Sequence, residues 1–119
     1  MHRLFVYGTL KRGCKNHPHI AGQTYVGDAR TAPGFRLYDL GSYPGMVADP
    51  SDLDGVTGEL WDVDAPALAH LDDFEGVDEG LYQRVSVPIA NSSDCTAAFT
   101  YLYARSISGL PPLGPTWKE

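Results

Sequence analysis

Several large classes of protein are closed to this chain by what it lacks. It has only 2 cysteines in 119 residues, Cys14 and Cys95, with no CxxC and no cluster of histidines. Neither a disulfide framework nor a thiolate zinc site is expected. No apolar run approaches the roughly 18 residues of a membrane-spanning helix. The start "MHRLFVYGTL" also lacks the charged lead, apolar block and cleavage site of a signal peptide. Cations are scarce as well: 9 Lys and Arg stand against 15 Asp and Glu, a net charge of −6. Affinity for nucleic acid rests largely on Lys and Arg neutralising phosphates, so that partner is not expected. The expectation from these absences is a soluble, cytoplasmic protein with no membrane and no nucleic-acid role.

What is present is punctuation. The chain holds 13 glycines and 9 prolines, and the short runs between them are rich in Val, Tyr and Phe, the signature of a single β-rich domain. Strands are expected at Arg3–Tyr7, Thr24–Thr31, Phe35–Leu40, Gly55–Val63, Tyr82–Ile89 and Ala97–Tyr103. In "GVTGELWDV" and "YQRVSVPI" apolar residues alternate with polar or bulky ones, which predicts one buried face for each. "NSSDCT" is turn-rich and reads as a hairpin connection, and "SISGLPPLGPTWKE" from Ser106 reads as an extended strap or a frayed end. The expected division is therefore a domain over residues 1–105 and a Pro/Gly-rich tail over 106–119.

One helix is expected, in "DVDAPALAHLDDFEG". Asp64 is its N-cap, Pro66 lies in its first turn and Gly76 stops it. Leu68, Leu71 and Glu75 fall at i, i+3 and i+7, so a carboxylate shares the face that packs into the core. The helix C-terminus, the neighbouring Asp72 and Asp73, and desolvation would each disfavour ionised Glu75 and raise its pKa towards neutrality, as a proton shuttle needs. The competing expectation is that Glu75 swings out to water. Asp72 and Asp73 read as a solvated face.

Near the N-terminus, "LFVYGTLKRG" runs a strand into a glycine turn. Gly8 after Tyr7 lets another group approach the backbone N–H donors of Gly8, Thr9 and Leu10 closely, as anion-holding turns do. A plain strand-to-loop turn would read the same way. It is neither GxxxxGK[ST] nor GxGxxG. "GCKNHPH" offers Cys14, His17 and His19, but no third group to orient a Cys–His pair and no partner at metal-ligand spacing. Ser42 in "LGSYPG" sits in a Gly-Pro turn rather than a strand-to-helix elbow. No metal site is expected.

Four motifs keep one order along the chain: "FVYGTLKRG", "YPG" at Tyr43–Gly45, "LDDFEG" at Leu71–Gly76 and "YQRVSV" at Tyr82–Val87. Together they resemble the γ-glutamyl cyclotransferase superfamily, most of all its γ-glutamylamine cyclotransferases, over roughly the first 105 residues. The resemblance implies an α+β fold with a mixed or antiparallel, barrel-like sheet and a few short helices. It implies that Tyr7, Gly8, Thr9 and Leu10 form the substrate-holding loop, that Glu75 is the catalytic carboxylate, and that Tyr82 and Arg84 wall and support the pocket. The implied reaction needs no cofactor: the α-amine of a small γ-glutamyl amide, such as γ-glutamyl-ε-lysine, attacks its own γ-carbonyl and releases 5-oxoproline and an amine. A carrier of γ-glutamyl compounds, or an enzyme trimming a γ-glutamyl group from a biosynthetic intermediate or peptide, would use the same pocket. The tail beyond Arg105 and "GVDEGL" before Tyr82 depart from the pattern.

Overall fold

The computed structural model describes residues 1–90 and 97–118, so the expected "NSSDCT" hairpin connection and Cys95 lie outside the described residues. Seven strands form one mixed sheet: β1 (His2–Val6), β2 (Thr24–Thr31), β3 (Phe35–Asp39), β4 (Pro44–Ala48), β5 (Thr57–Val63), β6 (Tyr82–Ala90) and β7 (Ala97–Tyr103). Their order is β1-β5-β2-β6-β7-β4-β3. The pairings also return from β7 to β1, where Leu4 lies opposite Phe99 in a parallel contact. Five strands therefore follow one another around a ring, and β4 continues from β7 through the parallel pair Met46 and Leu102. Strand β4 is a finding the sequence hid: Pro44 and Gly45 read as a turn, yet they begin a strand buried at its first three positions.

Both faces of the sheet carry a core. Phe5, Leu37, Met46, Val56, Leu60 and Val87 pack on one side. Leu4, Val6, Trp61, Val63, Leu68 and Leu71 pack on the other, under the helix α1 (Ala65–Phe74). This corrects the expectation of one buried face for β5. Leu60 joins the first core, Trp61 and Val63 join the second, and Glu59 on that second face is also buried. A strand covered on both sides loses clean alternation.

Among the described residues α1 is the one α-helix, beside a single 3₁₀ turn at His17–His19. Its start is the predicted one: Asp64 Oδ1 accepts from Ala67 N at 2.8 Å. Its end is a Schellman closure, with Gly76 at φ +70°, Gly76 N donating to Asp73 O and Val77 N to Asp72 O, both at 3.1 Å. Val77 packs into the second core, so the backbone of the cap residue Glu75 is held from both sides.

The tail is a strap. Asp39 N donates to Pro111 O and Leu113 N to Leu37 O, both at 2.9 Å, and Thr57 N donates to Pro115 O at 2.8 Å. Trp117 is buried in the first core. Trp117→Ala should cost about 3 to 5 kcal/mol of stability, the usual loss for a buried large aromatic. Urea unfolding checks it: a loss below about 1 kcal/mol would show that the strap contributes little.

Candidate active site

A pocket of about 360 Å³ opens where the end of β1 meets the end of α1. Tyr7, Gly8, Thr9 and Leu10 line one side and Glu75 the other, with Pro44, Leu81, Tyr82 and Tyr101 closing the walls. The two stretches singled out in the sequence therefore face one another.

The loop after β1 is polar because its side chains pin it. Lys11 Nζ donates to Trp117 O at 2.6 Å. Arg12 donates to buried Glu59 through its backbone N and through Nε, each at 3.1 Å, and its guanidinium lies 3.8 Å over the Tyr25 ring. Asn16 donates to Thr9 O from its backbone and to Thr9 Oγ1 from Nδ2, at 3.0 and 2.9 Å. The N–H groups of Gly8, Thr9 and Leu10, by contrast, take no intramolecular acceptor among the described residues. Three neighbouring residues of the cavity lining thus carry backbone donors with no acceptor of their own, an arrangement that can seat an anion.

Gly8 is required for a reason other than a left-handed backbone, since its φ is not positive. A Cβ there would lie 2.9 Å from Pro44 Cγ and 3.1 Å from Cδ. The loop crosses β4 at backbone distance, and only glycine fits.

Glu75 turns into the pocket rather than out to water. Burial pushes its carboxyl up to about 7, and it has no hydrogen-bond or ion-pair partner among the described residues. The expected contribution from Asp72 is not a cause, for a structural reason. Asp72 is half-buried, accepts from Tyr101 Oη at 2.8 Å and pairs with Arg84 Nε at 3.2 Å. This corrects the reading of Asp72 as a solvated side chain, which holds only for Asp73. Arg84 supports the wall from behind Asp72 and does not line the cavity, whereas Tyr82 does.

Of the four tyrosines that line the pocket, the three buried ones, Tyr7, Tyr82 and Tyr101, have their hydroxyls engaged within the protein. Tyr7 Oη donates to Tyr101 O at 2.6 Å and accepts from Met46 N at 3.2 Å. Tyr82 Oη donates to Pro44 O at 3.0 Å. Burial raises all three phenols far above their ordinary value, and the Glu75 charge adds to that at each. These three phenols stay protonated near neutrality, whereas the Glu75 carboxyl is held at about 7.

The other candidates separate. His17 Nδ1 sits 3.0 Å from Leu10 O, supporting the loop, while His19 Nδ1 lies 3.0 Å from His70 Nε2. Cys14 packs beside the first core and is not part of the pocket lining. Cys14→Ser should keep turnover within a few-fold of wild type, and a thousandfold loss with an unchanged circular dichroism spectrum would contradict that. Ser42 lines the pocket from the bend before β4, without the strand-to-helix geometry of a nucleophile. No three His, Cys, Asp or Glu side chains converge as a metal site among the described residues. No helix there is long and apolar enough to cross a membrane. Lining residues given no role in the sequence include Tyr101, from β7 and outside every quoted motif, and Phe74 and Lys15, which lie inside quoted stretches without a signal that singles them out.

Comparison with known proteins bears on the family and the fold. A putative gamma-glutamylcyclotransferase of Vibrio cholerae is 43% identical over 76 residues, 64% of each chain. Gamma-glutamylaminecyclotransferase of Rattus norvegicus is 38% identical over 96 residues, 75% of this chain and 64% of that one. The chain thus spans 64% of the length of these two curated relatives. The crystal structure of an AIG2-like protein from Mus musculus superposes with a TM-score of 0.85 at 30% identity, covering 99% of this chain and 88% of that one. The family model described as gamma-glutamyl cyclotransferase, AIG2-like matches residues 4–119, tail included, and the chain belongs to that family.

Proposed function

We propose that this pocket closes the ring of a γ-glutamyl amide, with Glu75 as proton carrier. The carrying observation is the contrast in the wall: three tyrosine hydroxyls are engaged within the protein, and one enclosed carboxyl, held at about 7, is not. The substrate's α-ammonium cannot attack until it loses a proton, and the amine leaving group cannot depart without gaining one. Glu75 takes a proton from the ammonium, the freed amine bonds to the γ-carbon, and the γ-C–N bond breaks as that proton passes to the departing nitrogen; the ring nitrogen then gives its surplus proton to Glu75, which releases it to the free amine or to solvent. The products are 5-oxoproline and an amine. The N–H groups of Gly8, Thr9 and Leu10 hold the substrate carboxylate or the developing oxyanion. Nucleophile and electrophile share one molecule, so holding a bent conformer is worth on the order of 7 to 11 kcal/mol. This chemistry calls for no cofactor and suits a soluble, cytoplasmic enzyme of small molecules.

The preferred substrate is a γ-glutamylamine such as γ-glutamyl-ε-lysine, in keeping with the name of the rat relative. The test is 5-oxoproline release from γ-glutamyl-ε-lysine, γ-glutamyl-alanine and glutathione. Release is expected from the first. Binding of all three with release from none would favour a carrier of γ-glutamyl compounds.

The pH profile follows from the same carboxyl. Glu75 accepts a proton only when ionised, and with its value at about 7 the ionised fraction falls tenfold per pH unit on the acid side. The expected result is a kcat/KM that drops by about tenfold from pH 6 to pH 5. A flat profile over that interval would contradict the assignment.

A further inference from the structure

The pocket has a floor and a mouth of different character. Tyr7, Leu10, Pro44, Tyr82 and Tyr101 are buried at its base, whereas Lys15, Ser42, Tyr43 and Phe74 are exposed at its rim. Few large apolar side chains of this protein are exposed, and two of them, Tyr43 and Phe74 at 37% each, stand at this opening. Phe74 is also braced from outside. The His19 ring stacks on it at 4.2 Å between centroids, and His19 is in turn held by His70 across 3.0 Å between ring nitrogens. An aromatic side chain held at a cavity mouth has apolar surface to offer whatever passes through. Among the described residues Lys15 is the one cation lining the pocket, on a chain whose net charge is −6.

We propose that Phe74, Tyr43 and Lys15 form the subsite for the departing amine, selecting one that joins an apolar stretch to a carboxylate. The inference rests on the proposed reaction, which puts the γ-glutamyl head between Glu75 and the Gly8–Leu10 donors and so directs the amine outward. The apolar stretch lies against Phe74 and Tyr43, and the carboxylate meets the Lys15 ammonium. His19 and His70 act as positioning residues by holding Phe74.

The test compares γ-glutamyl-ε-lysine with γ-glutamyl-cadaverine, which differs from it by the carboxylate alone. Both are assayed for 5-oxoproline release and titrated calorimetrically into the Glu75→Gln chain, where binding is read without turnover. An ion pair at an exposed rim is worth up to about 1 kcal/mol, so wild type should favour the lysine compound by about fivefold in kcat/KM, carried in KM, and by a similar ratio in Kd. That ratio should shrink as salt is raised. Lys15→Met should bring it close to one, while Phe74→Ala should weaken both compounds alike and leave the ratio in place. A wild-type ratio near one, or a ratio unchanged by Lys15→Met, overturns the subsite. Absence of 5-oxoproline from both compounds overturns the proposed reaction instead, and the calorimetric ratio still decides the subsite.

Discussion

Glu75→Gln should bind substrate and fail to turn it over. The amide keeps the shape and most of the hydrogen-bonding atoms of the acid but cannot accept and return a proton. Positioned acid–base catalysis typically contributes about 10² to 10⁴ in rate, and one group here serves two transfers, so the loss should reach about 10⁴ in kcat with little change in Kd. The same variant should be the more stable protein above neutral pH. Burial raises the folded carboxyl from 4.5 to about 7, so between those values the folded state holds more protons than the unfolded one. Wild-type stability therefore falls as pH rises through that window, by up to about 3 kcal/mol, and Gln has no charge to bury. A higher melting temperature than wild type at pH 8 together with a dead active site is the expected pair. Asp72→Asn should show the opposite balance, because its carboxylate braces Tyr101 and Arg84: stability falls, and the rate falls by much less. A Glu75→Gln chain that turns over near the wild-type rate would remove the proposed proton carrier.

The second large effect is expected at Gly8. A valine there must fit two methyl groups beyond a Cβ that already lies 2.9 Å from Pro44 Cγ, and Pro44 has little freedom to yield. Its ring is rigid, it is buried, and its carbonyl holds Tyr82 Oη. The loop carrying the three unspent N–H groups is pushed off β4 instead. A displacement of about 1 Å can cost about 10² in rate, so Gly8→Val should lower kcat/KM by about a hundredfold. Lys11→Ala, which removes one hydrogen bond to Trp117 O, should cost only a few-fold. Melting curves for both separate a displaced loop from a lost fold. Equal, small effects from the two would mean that the loop shapes the fold and not the site.

Local signals were the readable part of this protein. The cap at Asp64, the stop at Gly76 and the shared face of Leu68, Leu71 and Glu75 each depend on residues within seven positions of one another. The helix appears where they place it. Strands β2 and β7 begin and end where their Val, Tyr and Thr runs do. The expectations that failed depend on distant partners. Asp72 looks solvated until Tyr101 and Arg84 arrive from β7 and β6. Trp61 and Glu59 look like an outer face until α1 and Arg12 cover them. Strand β4 opens with a proline and a glycine, the residues that otherwise announce a turn, and its pairing with β3 and β7 overrides that preference. Gly8 reads in the sequence as a position that lets another group approach the backbone donors, and the structure adds a constraint of a different kind, Pro44 packed against it. That constraint, a proline from another strand, could not be read from its neighbours.

The account stands most directly on where the attacking nitrogen comes from. Wild-type protein is incubated with γ-glutamyl-ε-lysine in heavy-oxygen water, and the products are weighed by mass spectrometry. Attack by the substrate's own α-amine gives 5-oxoproline and lysine in equal amounts, with no heavy oxygen in either. Glutamate carrying one heavy oxygen in its side-chain carboxylate would show that water is the nucleophile, and would contradict ring closure at this site.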